Sequence, residues 1–126
     1  MSTITTLETT RKSDELAERV LGSAVGALEL FSIYLGDKLG FYQALAQHGP
    51  ATSRQLAGRA GADERYVREW LEQQAVSGLL AVENPLAQEA NRRFYLPEGH
   101  EEVLANRESL NFLSPLAQLV VGATYP

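Results

Sequence analysis

The chain contains no cysteine, which excludes thiolate nucleophiles, disulfides and cysteine-ligated zinc, and is compatible with a cytoplasmic setting. Its histidines are His48 and His100, each in a loop or helix-start context without a second ligand at metal spacing. No metal site is expected from them. The adjacent carboxylates Asp63-Glu64 and Glu101-Glu102 stand at helix beginnings, where they complement the helix dipole and have no catalytic task. No serine occupies a nucleophile elbow, and no basic run interleaves with aromatic residues as single-strand binders require. No catalytic residue is therefore expected in this chain. The side chains that could shape an apolar site are Phe31, Tyr34, Phe41 and Tyr42, gathered near the end of a long apolar helix and the turn after it. Core packing is the simpler use of the same residues.

The elements that hold these residues follow from composition and spacing. With 126 residues, 44% of them hydrophobic and 21% charged, the chain has the makings of one compact domain. Sixteen acidic residues against 11 basic ones give a net charge of −5, so the chain as a whole is repelled by polyanions. Met1 to Lys12 is rich in Thr and Ser, has no apolar signal core, and reads as a flexible leader over residues 1–12. Ser13 can cap a helix carrying Asp14 and Glu15 in its first turn, with Leu16, Val20, Ala24, Leu28, Phe31 and Leu35 at steps of three or four. The apolar run Ala24 to Leu35 falls short of the roughly 20 residues that span a bilayer. It reads as a buried helix, and no membrane is expected. Gly22 and Gly26, four residues apart beside Ser23 and Ala24, leave one side narrow enough for a second backbone. A homodimer seam on one side, and a tight contact within the chain or simple tolerance of glycine on the other, account for them equally well.

Gly36 and Gly40 bracket a turn, Phe41 to Ala46 forms a short helix, and Gly49-Pro50 breaks it. Thr52-Ser53-Arg54-Gln55 then has the form of a capping box, in which hydroxyl and amide side chains satisfy each other's backbone N–H. That helix runs to about Arg59 and stops near Gly61; Asp63 caps the next, Glu64 to Val76, which Gly78 ends. Leu79 to Glu83 and Arg92 to Leu96 read as two strands around a polar loop. Pro97 opens a short helix to Ala105, and Ser109 to Val121 is an apolar helix bent at Pro115. The predicted fold is mainly α with a small two-stranded wing: a winged helix-turn-helix preceded by a long helix, over residues 13–126.

Counting from Ser53, the small residue at the fifth position, the glycine at the ninth and the branched residue at the fifteenth are Ala57, Gly61 and Val67. Leu56, Ala60, Val67 and Trp70 fill the angle between the two helices. These residues establish a helix-turn-helix without saying whether it touches DNA. The second helix displays Asp63, Glu64, Glu69 and Glu72 against Arg65 and Arg68, a poor charge set for meeting phosphates. Arg92 and Arg93 on the wing could grip a phosphate. A dimeric, operator-binding regulator using Arg65, Arg68, Arg92 and Arg93 is thus the alternative function, and nucleic acid is not the expected partner.

The segment Gly61-Ala62-Asp63-Glu64-Arg65-Tyr66-Val67-Arg68-Glu69-Trp70-Leu71-Glu72, with Ala75-Val76-Ser77-Gly78-Leu79-Leu80 after it, resembles the amino-terminal winged-helix domain of bacterial class I S-adenosylmethionine-dependent methyltransferases. Leu39-Gly40-Phe41-Tyr42-Gln43-Ala44-Leu45 and Phe94-Tyr95-Leu96-Pro97-Glu98-Gly99-His100 extend the resemblance over most of residues 28–120. It implies a domain that dimerises and helps enclose a small-molecule methyl acceptor, with Phe31, Tyr34, Phe41 and Tyr42 as candidate pocket residues. S-adenosylmethionine would be held by a following Rossmann-like domain in the parent protein, and no cofactor by this segment. The glycine-rich donor loop after a strand is not found here; Gly22, Gly26, Gly36 and Gly40 sit within or between helices. The chain therefore reads as an amino-terminal fragment whose final helix leads toward an absent catalytic domain, or as a free-standing relative that has lost its enzyme.

Overall fold

The structure, a computed structural model, describes residues 3–122; Met1 and Ser2 of the expected leader, and residues 123–126, lie outside the described residues. Helix α1 spans Thr3–Lys38, α2 Phe41–His48, α3 Ser53–Ala60 and α4 Glu64–Val76. Strand β1 is Ala81–Val82, a 3-10 turn covers Glu89–Asn91, β2 is Phe94–Tyr95, and α5 (His100–Leu104) and α6 (Ser114–Gly122) follow. The helix-turn-helix is α3 and α4, and the wing is β1 and β2.

Helix α1 starts ten residues ahead of the Ser13 cap read from the sequence, so described residues of the expected leader are helical. The hydroxyls that suggested a leader and a cap have a second use. Those of Thr9, Thr10 and Ser13 donate to the carbonyls of Thr5, Thr6 and Thr9, satisfying themselves one turn back along the helix. The same chemistry that caps a helix end can be absorbed in its interior. Gly36 is a second difference: it lies inside α1 and does not open the turn. The turn belongs to Gly40, whose φ of 75° is the left-handed conformation glycine tolerates.

The inner faces of the helix-turn-helix meet as the spacing required. The Thr52 hydroxyl accepts from the Gln55 amide while the Gln55 side chain accepts from the Thr52 amide, completing the capping box. The Asp63 carboxylate accepts from the amides of Arg65 and Tyr66 and starts α4. Between the two helices Gly61 turns the chain with φ 67°. Leu56, Ala57, Val67 and Leu71 are buried there, together with Phe41, Tyr42 and Leu45 of α2 and Phe94 of the wing. Truncating Leu56, which is fully buried, to Ala is expected to cost about 2–5 kcal/mol in a denaturant titration.

The wing is shorter than its sequence pattern. Only Ala81 and Val82 pair with Tyr95 and Phe94, in antiparallel register. A third edge was not anticipated: Ala51 exchanges both backbone hydrogen bonds with Phe94, each at 2.9 Å. One residue after Gly49-Pro50 is enough to close the small sheet, and a single residue carries no periodicity to read. At the other end, Ser109 to Leu113 is a series of turns, and α6 begins at Ser114. Pro115 therefore sits in the first turn of α6, where its missing N–H is harmless, and no bend is needed.

Helix α1 departs most from expectation in its surroundings. Residues 3–25 are exposed without exception, and Gly36 is the one buried residue of the helix. The apolar run at Ala24 to Leu35 is therefore only half covered within this chain: Leu30, Ile33 and Tyr34 are half-buried, while Val25, Leu28 and Leu35 are 49%, 66% and 48% exposed. The C-terminal third is docked firmly. The Trp70 indole N–H donates to the Ser32 carbonyl at 2.9 Å, Asp37 pairs with Arg107 at 3.1 Å, and α6 packs back along the same helix.

Candidate functional site

Three features could serve a function: the aromatic group, the outer face of α4 with the wing, and a cavity beside α1. The structure divides the aromatic residues. Phe41 and Tyr42 are 2% and 0% exposed and pack against Trp70, with ring centroids 4.8 Å and 5.3 Å away. The Tyr42 hydroxyl donates to the Gln74 side chain, whose amide nitrogen donates to the Ser32 hydroxyl at 2.8 Å. Tyr42 is thus a core residue in a polar link joining α1, α2 and α4. Phe41 also borders a shallow hollow of about 210 Å³ with Leu35, Leu39, Tyr66 and Trp70. Phe31 is 37% exposed on α1 and Tyr34 is half-buried; neither borders that hollow.

Burial pushes the Tyr42 phenol above its ordinary range; the nearby Asp37 charge adds to this and the Gln74 hydrogen bond opposes it. A folded-state value raised above the unfolded one means that the neutral phenol contributes stability that is complete below about pH 10, the unfolded value, and is lost as pH rises toward the folded one. Chemical denaturation from pH 8 to 11 is expected to show that alkaline loss, and Tyr42→Phe to shrink it at some cost in stability at pH 8 from the unpaired Gln74.

On the outer face of α4 the arginines are occupied. Arg65 pairs with Glu69 at 3.6 Å, and Arg68 with Glu64 at 3.6 Å and Glu89 at 3.8 Å. Arg92 binds Glu72 at 2.7 Å and also donates to the Ala87 carbonyl, tying the wing to α4; Arg93 pairs with Glu83 at 3.3 Å. The exposed pairs, Arg65–Glu69 and Arg93–Glu83, are individually weak, about 0–1 kcal/mol. The effect of these charges on function is through sign: on α4, its cap and the wing, Asp63, Glu64, Glu69, Glu72, Glu83 and Glu89 outnumber the guanidiniums of Arg65, Arg68, Arg92 and Arg93.

The third feature was not visible in the sequence. Leu30 and Ile33 of α1, Leu79, Gly99, His100, Val103, Leu104, Leu113 and Leu116 line a cavity of about 310 Å³. Only His100 brings a polar side chain to it. Its Nδ1 lies 2.8 Å from the Leu79 carbonyl, which can only accept, so Nδ1 carries the proton. Gly99, at φ 85°, makes the turn that places His100 at the start of α5. Among the described residues no three metal-ligating side chains gather, at His100 or elsewhere. The signal was present only as Leu-rich segments far apart in the chain.

Gly22 and Gly26 have no tight neighbour: a Cβ on either would meet nothing within 4 Å among the described residues. A tight contact among the described residues therefore does not account for them, and a homodimer seam or simple tolerance of glycine remains. Gly36 is the opposite case, with a Cβ falling 2.4 Å from Trp70 Cζ2 and 2.6 Å from Tyr42 Cε2.

A mostly helical unit with a capped helix-turn-helix, a two-stranded wing and a closing bridge at Ala51 is now defined by position. The model of the Rv2258c-like winged helix-turn-helix domain matches residues 26–106. The chain belongs to that family. The match covers the end of α1, the helix-turn-helix, the wing and α5, which are the parts that share one core. Among solved structures, this winged domain is similar to PigF with SAH (TM-score 0.67, 16% identity, 86% of this chain and 30% of that one). It is also similar to the mitomycin 7-O-methyltransferase MmcR (TM-score 0.60, 23% identity, 92% of this chain and 31% of that one). At those identities the likeness is one of fold. The winged domain spans about a third of the length of either structure. No curated protein matches the chain.

Proposed function

We propose that this chain is the dimerising, substrate-enclosing domain of a cytoplasmic S-adenosylmethionine-dependent methyltransferase acting on a small molecule. The observation that carries the reading is the state of α1. A helix rarely stands unpacked in water, because most helical stability in proteins comes from tertiary packing of an apolar face. Residues 3–25 of α1 have no such packing within the chain, while Leu21, Val25 and Leu28 lie exposed at four- and three-residue steps and Leu35 continues the same stripe. A second α1 would cover that stripe. At about 100° per residue, Gly22 and Gly26 fall roughly 120° and 160° from its centre at Leu28, on the far side of the helix, so this stripe does not use them.

Helix α1 is long and apolar enough to cross a bilayer by length and composition. A second copy of the chain is the better partner. Ser32, Gly36 and Asp37 of that helix are committed to Trp70, Tyr42 and Arg107 of the domain, and Arg11, Lys12, Asp14, Glu15, Glu18 and Arg19 interrupt its first half.

The likeness to MmcR, a methyltransferase, and to PigF, solved with SAH, supports the choice of reaction. SAH denotes S-adenosylhomocysteine, which is what the methyl donor becomes after transfer. The cavity beside α1 is poorly matched to that donor. Its ribose, amino acid and sulfonium groups need several polar partners, whereas that cavity presents one imidazole among aliphatic side chains. The left-handed glycines 40, 49, 61, 78 and 99 serve turns and helix ends, with no glycine-rich loop between a strand and a helix. In this reading the domain contributes shape and exclusion of water, and methyl transfer belongs to a following domain. The native reading frame is expected to continue past Pro126 for roughly 200 residues, with a strand and glycine-rich loop able to hold the donor. A stop codon directly after Pro126 would contradict the proposal.

The competing use, reading an operator, is disfavoured by the paired arginines and excess carboxylates on α4 and the wing. In a fluorescence titration with duplex DNA at about 50 mM salt, no saturable binding is expected. Tight, salt-sensitive binding that weakens on Arg65→Ala or Arg68→Ala would restore the regulator.

A further inference from the structure

We propose that the cavity between α1, α5 and α6 is a binding site for a compact, neutral, mostly apolar molecule bearing one hydroxyl or similar hydrogen-bonding group, held by His100. This rests on the enclosing role argued above and names the class of molecule enclosed.

Size and lining set the class. A volume of about 310 Å³ is at the lower end of small-molecule sites, enough for one or two fused rings. Leu30, Ile33, Leu79, Val103, Leu104, Leu113 and Leu116 supply aliphatic walls from four parts of the chain. A charged ligand would give up its hydration here for a single partner, so ionised groups are selected against. A pure hydrocarbon would fit the walls and leave the imidazole without its water.

His100 is held in place before any ligand arrives. Its backbone N–H donates to the Pro97 carbonyl at 3.0 Å, and the adjoining Gly99 turn needs a conformation that only glycine adopts easily. With Nδ1 bound to the Leu79 carbonyl, Nε2 is the ring's remaining polar atom, and it makes no hydrogen bond among the described residues. In the neutral ring, with its proton on Nδ1, Nε2 accepts from an O–H. The wall opposite is equally fixed: Leu113 donates its N–H to the Val103 carbonyl at 2.9 Å, and the Ser114 hydroxyl to the Leu104 carbonyl at 3.0 Å. The cavity is therefore formed by backbone-anchored segments and needs little rearrangement to accept a ligand.

The test is a titration of the full chain with 2-naphthol, naphthalene and 2-naphthoate, followed by methyl and imidazole NMR shifts. Saturable shifts are expected with 2-naphthol at Leu30, Ile33, Leu104, Leu113, Leu116 and the His100 ring. Naphthalene should bind about tenfold more weakly, as loss of one hydrogen bond implies, and 2-naphthoate more weakly still. His100→Phe should bring 2-naphthol down to the affinity of naphthalene, and Leu116→Trp, at a position 48% exposed and tolerant of change, should block both. Shifts confined to Leu21, Val25 and Leu28, equal affinity for 2-naphthol and naphthalene, or no saturation in the millimolar range would each overturn the site. A dimer by sedimentation without cavity shifts would overturn this site alone. Cavity shifts in a strict monomer would overturn the dimerising role alone.

Discussion

Gly36→Ala is expected to destabilise the domain by about 1–3 kcal/mol, the cost of forcing an extra carbon into a filled core. The direction is opposite to what helix propensity alone dictates, since alanine in place of a mid-helix glycine ordinarily gains up to about 1 kcal/mol. The reason is distance. A Cβ at residue 36 would stand 2.4 Å from Trp70 Cζ2 and 2.6 Å and 2.9 Å from Tyr42 ring carbons. Neither ring is free to retreat: Trp70 is held by its N–H on the Ser32 carbonyl, and Tyr42 by Gln74. Gly22→Ala and Gly26→Ala serve as internal controls on the same helix, because their added carbons meet nothing within 4 Å. They are expected to leave urea midpoints unchanged or raise them. If Gly36→Ala proved as stable as the parent, the close crossing of α1 over Trp70 would be wrong.

Leu28→Glu is the second substitution with a large expected effect, on association and not on folding. Leu28 is 66% exposed, so a carboxylate there costs the isolated domain little. Across a two-fold seam the same change occurs twice and places two like charges among Leu21, Val25 and Leu35. Burial of unpaired carboxylates in an apolar seam should weaken the dimer by at least about 100-fold, or roughly 2.8 kcal/mol. Circular dichroism and the urea midpoint measured at low concentration should remain close to those of the parent.

What could be read from the sequence was what short-range chemistry decides. The Thr52 to Gln55 capping box, the Asp63 cap and the Gly61 turn each depend on residues within a few positions, and each is present with its hydrogen bonds. The inward set of Leu56, Ala57, Val67 and Trp70 was legible for the same reason, since helical spacing places it on one side. Ser13 is ambiguous in sequence because a hydroxyl caps a helix or bonds back along it with the same atoms, and only whether the helix already runs ahead of it decides which. Gly36 could not be understood from its neighbours, because the atoms that exclude a side chain belong to Trp70 and Tyr42.

The candidate site was less legible than the fold. Phe41 and Tyr42 were recognised as important aromatic residues, but their place against Trp70 makes them core. The cavity that could take a ligand depends on α1 meeting α5 and α6, and on a hydrogen bond from His100 to Leu79, neither of which has a local signature. The DNA question was more tractable. Charge order along α4 showed excess carboxylate, and the structure added that each of Arg65, Arg68, Arg92 and Arg93 already faces one.

The central claim is that the outward face of α1 joins two copies of this chain, turning a helix-turn-helix fold into a scaffold. Sedimentation velocity of the parent and of Leu28→Glu, over low to high micromolar concentration, tests it most directly. The account predicts a dimer for the parent and a folded monomer for the variant. A parent that stays monomeric throughout, or a dimer indifferent to the charge at residue 28, would contradict it.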